Sequence, residues 1–376
     1  MLKQFLDAKP LYYDEIDYTR MPRVYESIKS SLKIPKIIHI IGTNAKGTTG
    51  RFLAQALFNI GFNVGHYTSP HILEFNERIW LDGSNVSNEV LEDAHEQLQK
   101  LLEVEQSDAL SYFEYTTFLA IVIFKDCDYV VLEAGLGGEH DASAVFSKIL
   151  TIVTPIAKDH EAFLGNTLKE IATTKLNSID KFAILAKQKD EVYDIAKSKS
   201  EKYYKMQDLL DNNDEIKIKQ ISKELKLVKF LEQNLALAIA ALKFLKISYK
   251  ISDFENARLF GRLSKIANNI IVDVGHNTLA ARSIVSALSE QKYVIIYNSY
   301  KDKDYSKILH ILKPIALHVE LIDVDDKRIE SEENMKKVLD NLDIKYTKFK
   351  EIKANNNYLV FGSFSVVEAF LKEYNE

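Results

Sequence analysis

The stretch Ile37-Ile-His-Ile-Ile-Gly-Thr-Asn-Ala-Lys-Gly-Thr-Thr49 runs an apolar segment straight into a turn of glycine, lysine and threonine. Ile37 to Ile41 read as a buried strand, because β-branched residues dominate and no helical period appears. Gly42 can take a backbone conformation closed to other residues, and Gly47 lets the chain approach a ligand closely. Beyond Gly50 the apolar positions Phe52, Leu53, Ala56, Leu57 and Ile60 recur at helical spacing. A strand, a glycine turn and a helix start together aim several backbone N–H groups at one anion. Gly42, Thr43, Asn44, Ala45, Lys46, Gly47, Thr48 and Thr49 are therefore expected to bind a nucleotide. Lys46 would place a point charge on the outer phosphates, and Thr48 or Thr49 a hydroxyl on Mg²⁺.

Bulk properties bound the rest. A chain of 376 residues has room for two or three domains. Its 46% hydrophobic and 27% charged content is that of a soluble globular protein. A net charge of -5 argues against a nucleic-acid surface. The single cysteine, Cys127, excludes an internal disulfide and a cysteine-rich metal site, and suits a reducing compartment. With no signal-peptide pattern and no apolar run of membrane-spanning length, a cytoplasmic protein is expected.

Strand and helix signals alternate along the chain, which predicts an α/β protein with mainly parallel sheets. Strands are expected at Val64–Tyr67, Tyr129–Leu132, Leu150–Val153 and Phe182–Leu185, and a helix over Phe230–Leu245. A second alternation begins at Ile270, with strands at Ile270–Val274, Tyr293–Tyr297, Ala316–Ile322, Ile344–Phe349 and Tyr358–Phe361. Helices at Leu279–Leu288, Tyr305–Leu312 and Glu333–Leu342 separate them, and a last helix runs to Lys372. The division is placed at 1–257 and 258–376, an ATP-binding domain followed by a smaller Rossmann-like domain. The lysine-rich stretch Lys197–Lys219 reads as a solvated edge or variable loop.

Five segments in order resemble the folylpolyglutamate synthase and dihydrofolate synthase family, which belongs with the Mur ligases. Gly-Thr-Asn-Ala-Lys-Gly-Thr48 is similar to its GTNGKGS loop, with Ala45 in place of a glycine, so no positive φ is expected there. His66 to Ile79 resembles its YTSPHL..FNERI loop, and Leu132 to Ala142 its LEVGLGGRLDATN segment. Asp159 to Ala172 resembles DH.EFLGDTLEEIA, and Asp273-Val-Gly-His-Asn277 resembles DGAHN. Glu139, His140 and Ala144 depart from the pattern near Asp141.

The resemblance implies site residues. Mg²⁺ would be held by Ser69, Glu114 and His160, with Lys175 carrying CO₂ as a carbamate that serves a second Mg²⁺ ion. Taken alone, each has a plainer role: Ser69 a turn residue, Glu114 a helix cap, His160 a structural histidine, Lys175 an exposed helix-end cation. Carbamate formation needs a neutral amine, hence a lysine pKa depressed by burial or by nearby cations. Asn234 would read the adenine edge or else be a helix cap or surface amide. Arg262, Asp273 and His276 would contact phosphate or ribose, bringing the second domain over the nucleotide. Phe75 and Arg78, in a flexible loop, and Asp141 with Ala142 would bind the folate side.

The implied activity is ATP-dependent ligation of L-glutamate to dihydropteroate, to reduced folates, or to both, with Lys46, Lys175 and His276 catalytic. A monofunctional polyglutamate synthase and a Mur-type ligase acting on a cell-wall nucleotide precursor are the ligase alternatives. A nucleotide switch is the non-ligase alternative, but no Asn-Lys-x-Asp guanine-reading segment is present. Small molecules are the expected partners of a monomer.

Overall fold

The computed structural model describes residues 1–9 and 17–375. The chain divides into two compact units, Met1–Arg258 and Leu259–Glu376.

The first unit is built on an eight-stranded sheet. Its strands are β1 (Lys36–Ile41), β2 (Val64–Tyr67), β3 (Ile79–Leu81), β4 (Ser84–Asn85), β5 (Tyr129–Glu133), β6 (Lys148–Val153), β7 (Phe182–Leu185) and β8 (Lys202–Lys205). They lie in the order β4-β3-β2-β5-β1-β6-β7-β8. β3 pairs antiparallel with both β2 and β4, and the other strands pair in parallel. β1 is central, hence its run of apolar residues without alternation, since a parallel strand is covered on both faces. Ile38 and Ile40 pack with helices α1 (Lys46–Ile60) and α4 (Lys229–Phe244) on one face. Ile37 packs with Phe118 and Leu119 of helix α2 (Tyr112–Ile123) on the other. A further cluster joins Ile41 and Val153 to Ile171, Ala172 and Leu176 of helix α3 (Leu168–Leu176). Each such aliphatic side chain contributes roughly 1.5–3 kcal/mol on burial.

The second unit carries a six-stranded sheet of β9 (Ser264–Ala267), β10 (Ile270–Asp273), β11 (Tyr293–Tyr297), β12 (Ala316–Leu321), β13 (Tyr346–Lys348) and β14 (Tyr358–Phe361). The order is β13-β12-β11-β14-β10-β9, parallel except for the β9 edge. Its core gathers Ile284, Ile295, Leu309, Val319, Leu339 and Leu359.

The two mainly parallel sheets flanked by helices match the expected α/β class. The lysine-rich stretch forms a solvated edge of the sheet and is not a loop. It holds the end of a helix (Asp190–Lys199), the edge strand β8, and helices Met206–Leu209 and Asn212–Glu224. A few apolar residues suffice: Ile218 and Ile221 are buried on one helix face, and Asp211 caps that helix by accepting from Asn213 and Asp214 N–H. β9 and the β3–β4 hairpin also carry too little apolar alternation to read in advance.

Candidate active site

The phosphate loop leaves the carboxyl end of β1 against the end of β6. Gly42 has φ 143°, and a Cβ there would lie 2.0 Å from Thr154 Oγ1, so only glycine fits. Thr43 fastens the loop: its N–H donates to Pro155 O at 3.0 Å and its hydroxyl to Ala157 O at 3.0 Å. Ala45 corrects the sequence reading. It sits in the left-handed region at φ 75°, as the residue before α1, so the turn keeps the shape that glycine ordinarily supplies. Thr48 and Thr49 lie buried in the first turn of α1.

Lys46 folds back over the loop, its Nζ 3.5 Å from both Gly42 O and Thr43 O. The same ammonium lies 3.8 Å from Glu133 Oε1, a carboxylate the sequence reading did not select. Glu133 ends β5, opposite Ile40 in the parallel register, which brings a buried acid to the mouth of the loop. Its Oε2 accepts the Thr68 hydroxyl and, at 3.4 Å, the Ser69 N–H. Ser69 is thus joined to Lys46 through Glu133. A serine hydroxyl and a carboxylate are the kinds of oxygen donor that a hard divalent cation prefers.

Glu114 is otherwise occupied. Its carboxylate accepts from Arg20 Nε at 2.8 Å and from Ser111 N–H at 2.7 Å, closing the capping box of α2. The acidic position beside Ser69 and Lys46 therefore belongs to Glu133.

Lys175 is buried, not an exposed helix-end cation. Its Nζ donates to Gly42 O at 3.0 Å. Burial, reinforced by the Lys46 charge, pushes its pKa down to about 7, against the opposing pull of Asp159 and Asp141. The turn Gly137-Gly138 rests on the same helix end: a Cβ on Gly138 would fall 2.3 Å from Lys175 O, and Glu139 N–H donates to Thr174 O at 2.9 Å. Asp141 is buried beside Ala142, and desolvation raises its pKa. His160 is left-handed at φ 53°, and its N–H donates to Asp159 Oδ1 at 2.9 Å.

The segment from Ser69 to Arg78 is tied down. The Glu77 carboxylate accepts N–H groups from Ile72, Leu73 and Glu74 at 2.7–2.9 Å. Arg78 is buried over the Tyr112 ring, at 5.2 Å, and donates from Nε to His71 Nδ1 at 2.8 Å. Phe75 meets the Tyr112 ring edge-on.

Asn234 lies inside α4 and is buried, neither a cap nor a surface amide. In the second unit, Asp273 ends β10 and brackets a turn, accepting from Leu263 N–H at 2.9 Å and from Gly275 N–H at 2.8 Å. Arg262 lies over the Phe364 ring at 5.1 Å. His276 Nδ1 is 3.2 Å from Val274 O.

No protein-family model matches the chain. The crystal structure of Helicobacter pylori folylpolyglutamate synthetase superposes with a TM-score of 0.80 at 38% identity, covering 100% of this chain and 98% of that one. The dihydrofolate synthase/folylpolyglutamate synthase of Buchnera aphidicola subsp. Acyrthosiphon pisum is 30% identical over 371 residues, 89% of this chain and 88% of its own. The chain belongs to the dihydrofolate synthase/folylpolyglutamate synthase family. A Haemophilus influenzae protein of the same name is 29% identical over 411 residues, 95% of this chain and 93% of that protein.

Within this family member, the fold gathers Lys46, Ser69 and Lys175 of the predicted set around the phosphate loop, and adds Glu133. It leaves Glu114 in a helix cap. The signal that pointed to Glu133 was present: a carboxylate closing the otherwise apolar strand Tyr129–Glu133. Carboxyl ends of parallel strands are where ligand groups collect.

Proposed function

We propose that the protein is an ATP-dependent ligase that joins L-glutamate to dihydropteroate and to the glutamate tail of reduced folates, releasing ADP and phosphate. The observation that carries this reading is the pairing of Lys46 with Glu133 at a glycine loop whose Gly42 carbonyl is held by a buried lysine. Family membership points the same way.

A carboxylate is a poor electrophile, so ATP first converts it to an acyl phosphate. The glutamate α-amine then attacks the carbonyl carbon, and phosphate leaves with the electron pair of the broken C–O bond. Negative charge gathers on the transferring phosphoryl group, so positioning and cationic stabilisation dominate the rate. Lys46 and the backbone N–H groups at the start of α1 take that charge. Ser69 and Glu133, with His160, would hold Mg²⁺, which neutralises phosphate oxygens when bound.

The depressed Lys175 pKa supports carbamate formation. The neutral Nζ bonds to the carbon of CO₂ and loses a proton, so a cation becomes an anion suited to a second Mg²⁺. The same reading assigns Asn234 to adenine and Arg262, Asp273 and His276 to phosphate or ribose. Phe75, Arg78, Asp141 and Ala142 are assigned to the acceptor acid. The units Met1–Arg258 and Leu259–Glu376 are read as the ATP-binding and Rossmann-like ligase domains of a monomer in the cytoplasm. No described helix is long and apolar enough to cross a membrane.

The test supplies dihydropteroate and tetrahydrofolate in separate reactions with ATP, Mg²⁺ and glutamate, following ADP release and weighing products by mass. Both acids should gain glutamate. Extension of tetrahydrofolate alone would reduce the function to polyglutamate synthesis, and ADP release without any acid would overturn the ligase reading.

A further inference from the structure

The sequence reading gave no role to His39, in the middle of β1, or to Ser143, just past Asp141. The structure joins them. Ser143 Oγ lies 2.5 Å from Asp141 Oδ1 and 2.8 Å from His39 Nε2, and all three residues are buried. An ionised carboxylate only accepts, so the Ser143 hydroxyl proton points to Asp141 and Oγ accepts from His39 Nε2–H. Burial, with the Lys148 charge, keeps the imidazole neutral. A neutral ring carries one N–H, so Nδ1 is bare, and this buried atom has no hydrogen-bond partner.

An unsatisfied nitrogen inside an apolar strand is unfavourable. Between Ile37 and Ile41, the buried residues that share its face of the strand, an aliphatic side chain would pack without that loss. What the imidazole supplies in return is one donor, aimed at Ser143. Asp141 is the end of this chain, and its remaining contacts show what it controls. Oδ1 also accepts Ser143 N–H at 2.9 Å and Oδ2 accepts Leu136 N–H at 2.8 Å, so one carboxylate closes the loop from Leu136 to Ser143. Within that loop, Gly137 and Gly138 lie against the end of α3, where Lys175 turns its Nζ back to Gly42. Gly42 directly follows β1, so the contacts form a ring from His39 through Ser143, Asp141 and Lys175 to the phosphate loop.

We propose that His39 and Ser143 are positioning residues that hold Asp141, and through it the Leu136–Ser143 loop on Lys175, in the geometry the acceptor acid requires. The activity readout rests on the ligase reading given above; the positioning itself does not. Three full-length variants test it: Ser143→Ala, Ser143→Thr and His39→Leu. Steady-state constants are measured for ATP and for the acid, with hydrogen exchange at the Leu136 amide and the thermal midpoint.

In Ser143→Ala, kcat/KM for the acid should fall by at least about tenfold with KM for ATP within about twofold, because misplacement of a supporting group is costly in rate. Exchange at Leu136 should quicken, and Ser143→Thr, which keeps the hydroxyl, should restore both. His39→Leu should keep or raise the thermal midpoint while lowering kcat/KM for the acid; a purely structural histidine would lose stability instead. Equal losses for ATP and acid, no rescue by threonine, or unchanged Leu136 exchange would overturn the proposal. Wild-type protein inactive with every acid would sink the ligase reading alone, and Leu136 exchange in Ser143→Ala would still decide the positioning role.

Discussion

The Lys175 ammonium nitrogen lies 3.0 Å from the carbonyl oxygen of Gly42, the first residue of the phosphate loop. Burial at the end of α3, reinforced by the nearby Lys46 charge, depresses the amine to about 7. Below that value the folded protein carries a buried cation; above it, a neutral amine. Between about 7 and the ordinary 10.5 the unfolded chain binds more protons than the folded one, so stability rises with pH across that window. The slope from this group is at most about 1.4 kcal/mol per pH unit. Denaturant unfolding in CO₂-free buffer at several alkaline pH values should show it, and Lys175→Met should flatten it. An identical slope in the variant would show that Lys175 titrates normally.

Lys46→Ala should leave a folded protein with turnover reduced by more than tenfold. The ammonium faces loop carbonyls and Glu133, so its loss disturbs little packing. A variant that keeps more than about a tenth of wild-type rate would limit the role of Lys46 to less than ~1.4 kcal/mol of barrier.

The two glutamates should separate cleanly. Glu133→Gln should raise the Mg²⁺ concentration needed for half-maximal rate and cut turnover at least tenfold, in line with loss of a metal-side acid. Glu114→Gln should instead lower stability by about 1–2 kcal/mol, through the Arg20 pair and the α2 cap, with Mg²⁺ dependence unchanged. Titration of Mg²⁺ against rate for both variants decides this. A shifted requirement in Glu114→Gln would return it to the metal.

Ala45 holds a left-handed conformation that costs a non-glycine residue about 1–2 kcal/mol. Glycine relieves that strain but frees the unfolded chain by about 0.4–1 kcal/mol. Ala45→Gly should therefore leave stability unchanged or raise it by up to ~1.6 kcal/mol, and keep activity. Ala45→Val should lose about 2 kcal/mol or more, because a β-branched residue tolerates φ 75° poorly. Denaturation midpoints of the two variants check both.

What was legible in the chain was local. β1, the glycine turn and α1 follow from residues adjacent in sequence, and the strand pattern of the second unit follows from short β-branched runs. What was not legible depends on which strands pair. Glu114 and Glu133 both sit at the border of apolar runs, and only the register Ile40↔Glu133 puts one of them at the loop. Lys175 reads as a solvated helix end until Gly42 is laid against it. Ala45 reads as proof against a left-handed turn, yet the hydrogen bonds of Thr43 to Pro155 and Ala157 hold the loop in that shape. β8 and the helices after it escape notice because their apolar residues are few and their exposed faces are crowded with lysine.

The Glu77 carboxylate collects three successive N–H groups of the segment that follows Ser69. Ordering of that segment is completed when the chain folds, so an acid bound there, as proposed, would meet a surface with no conformational search left to make. Its association rate should then be set by encounter and desolvation, and the entropy of loop closure drops out of the binding equilibrium.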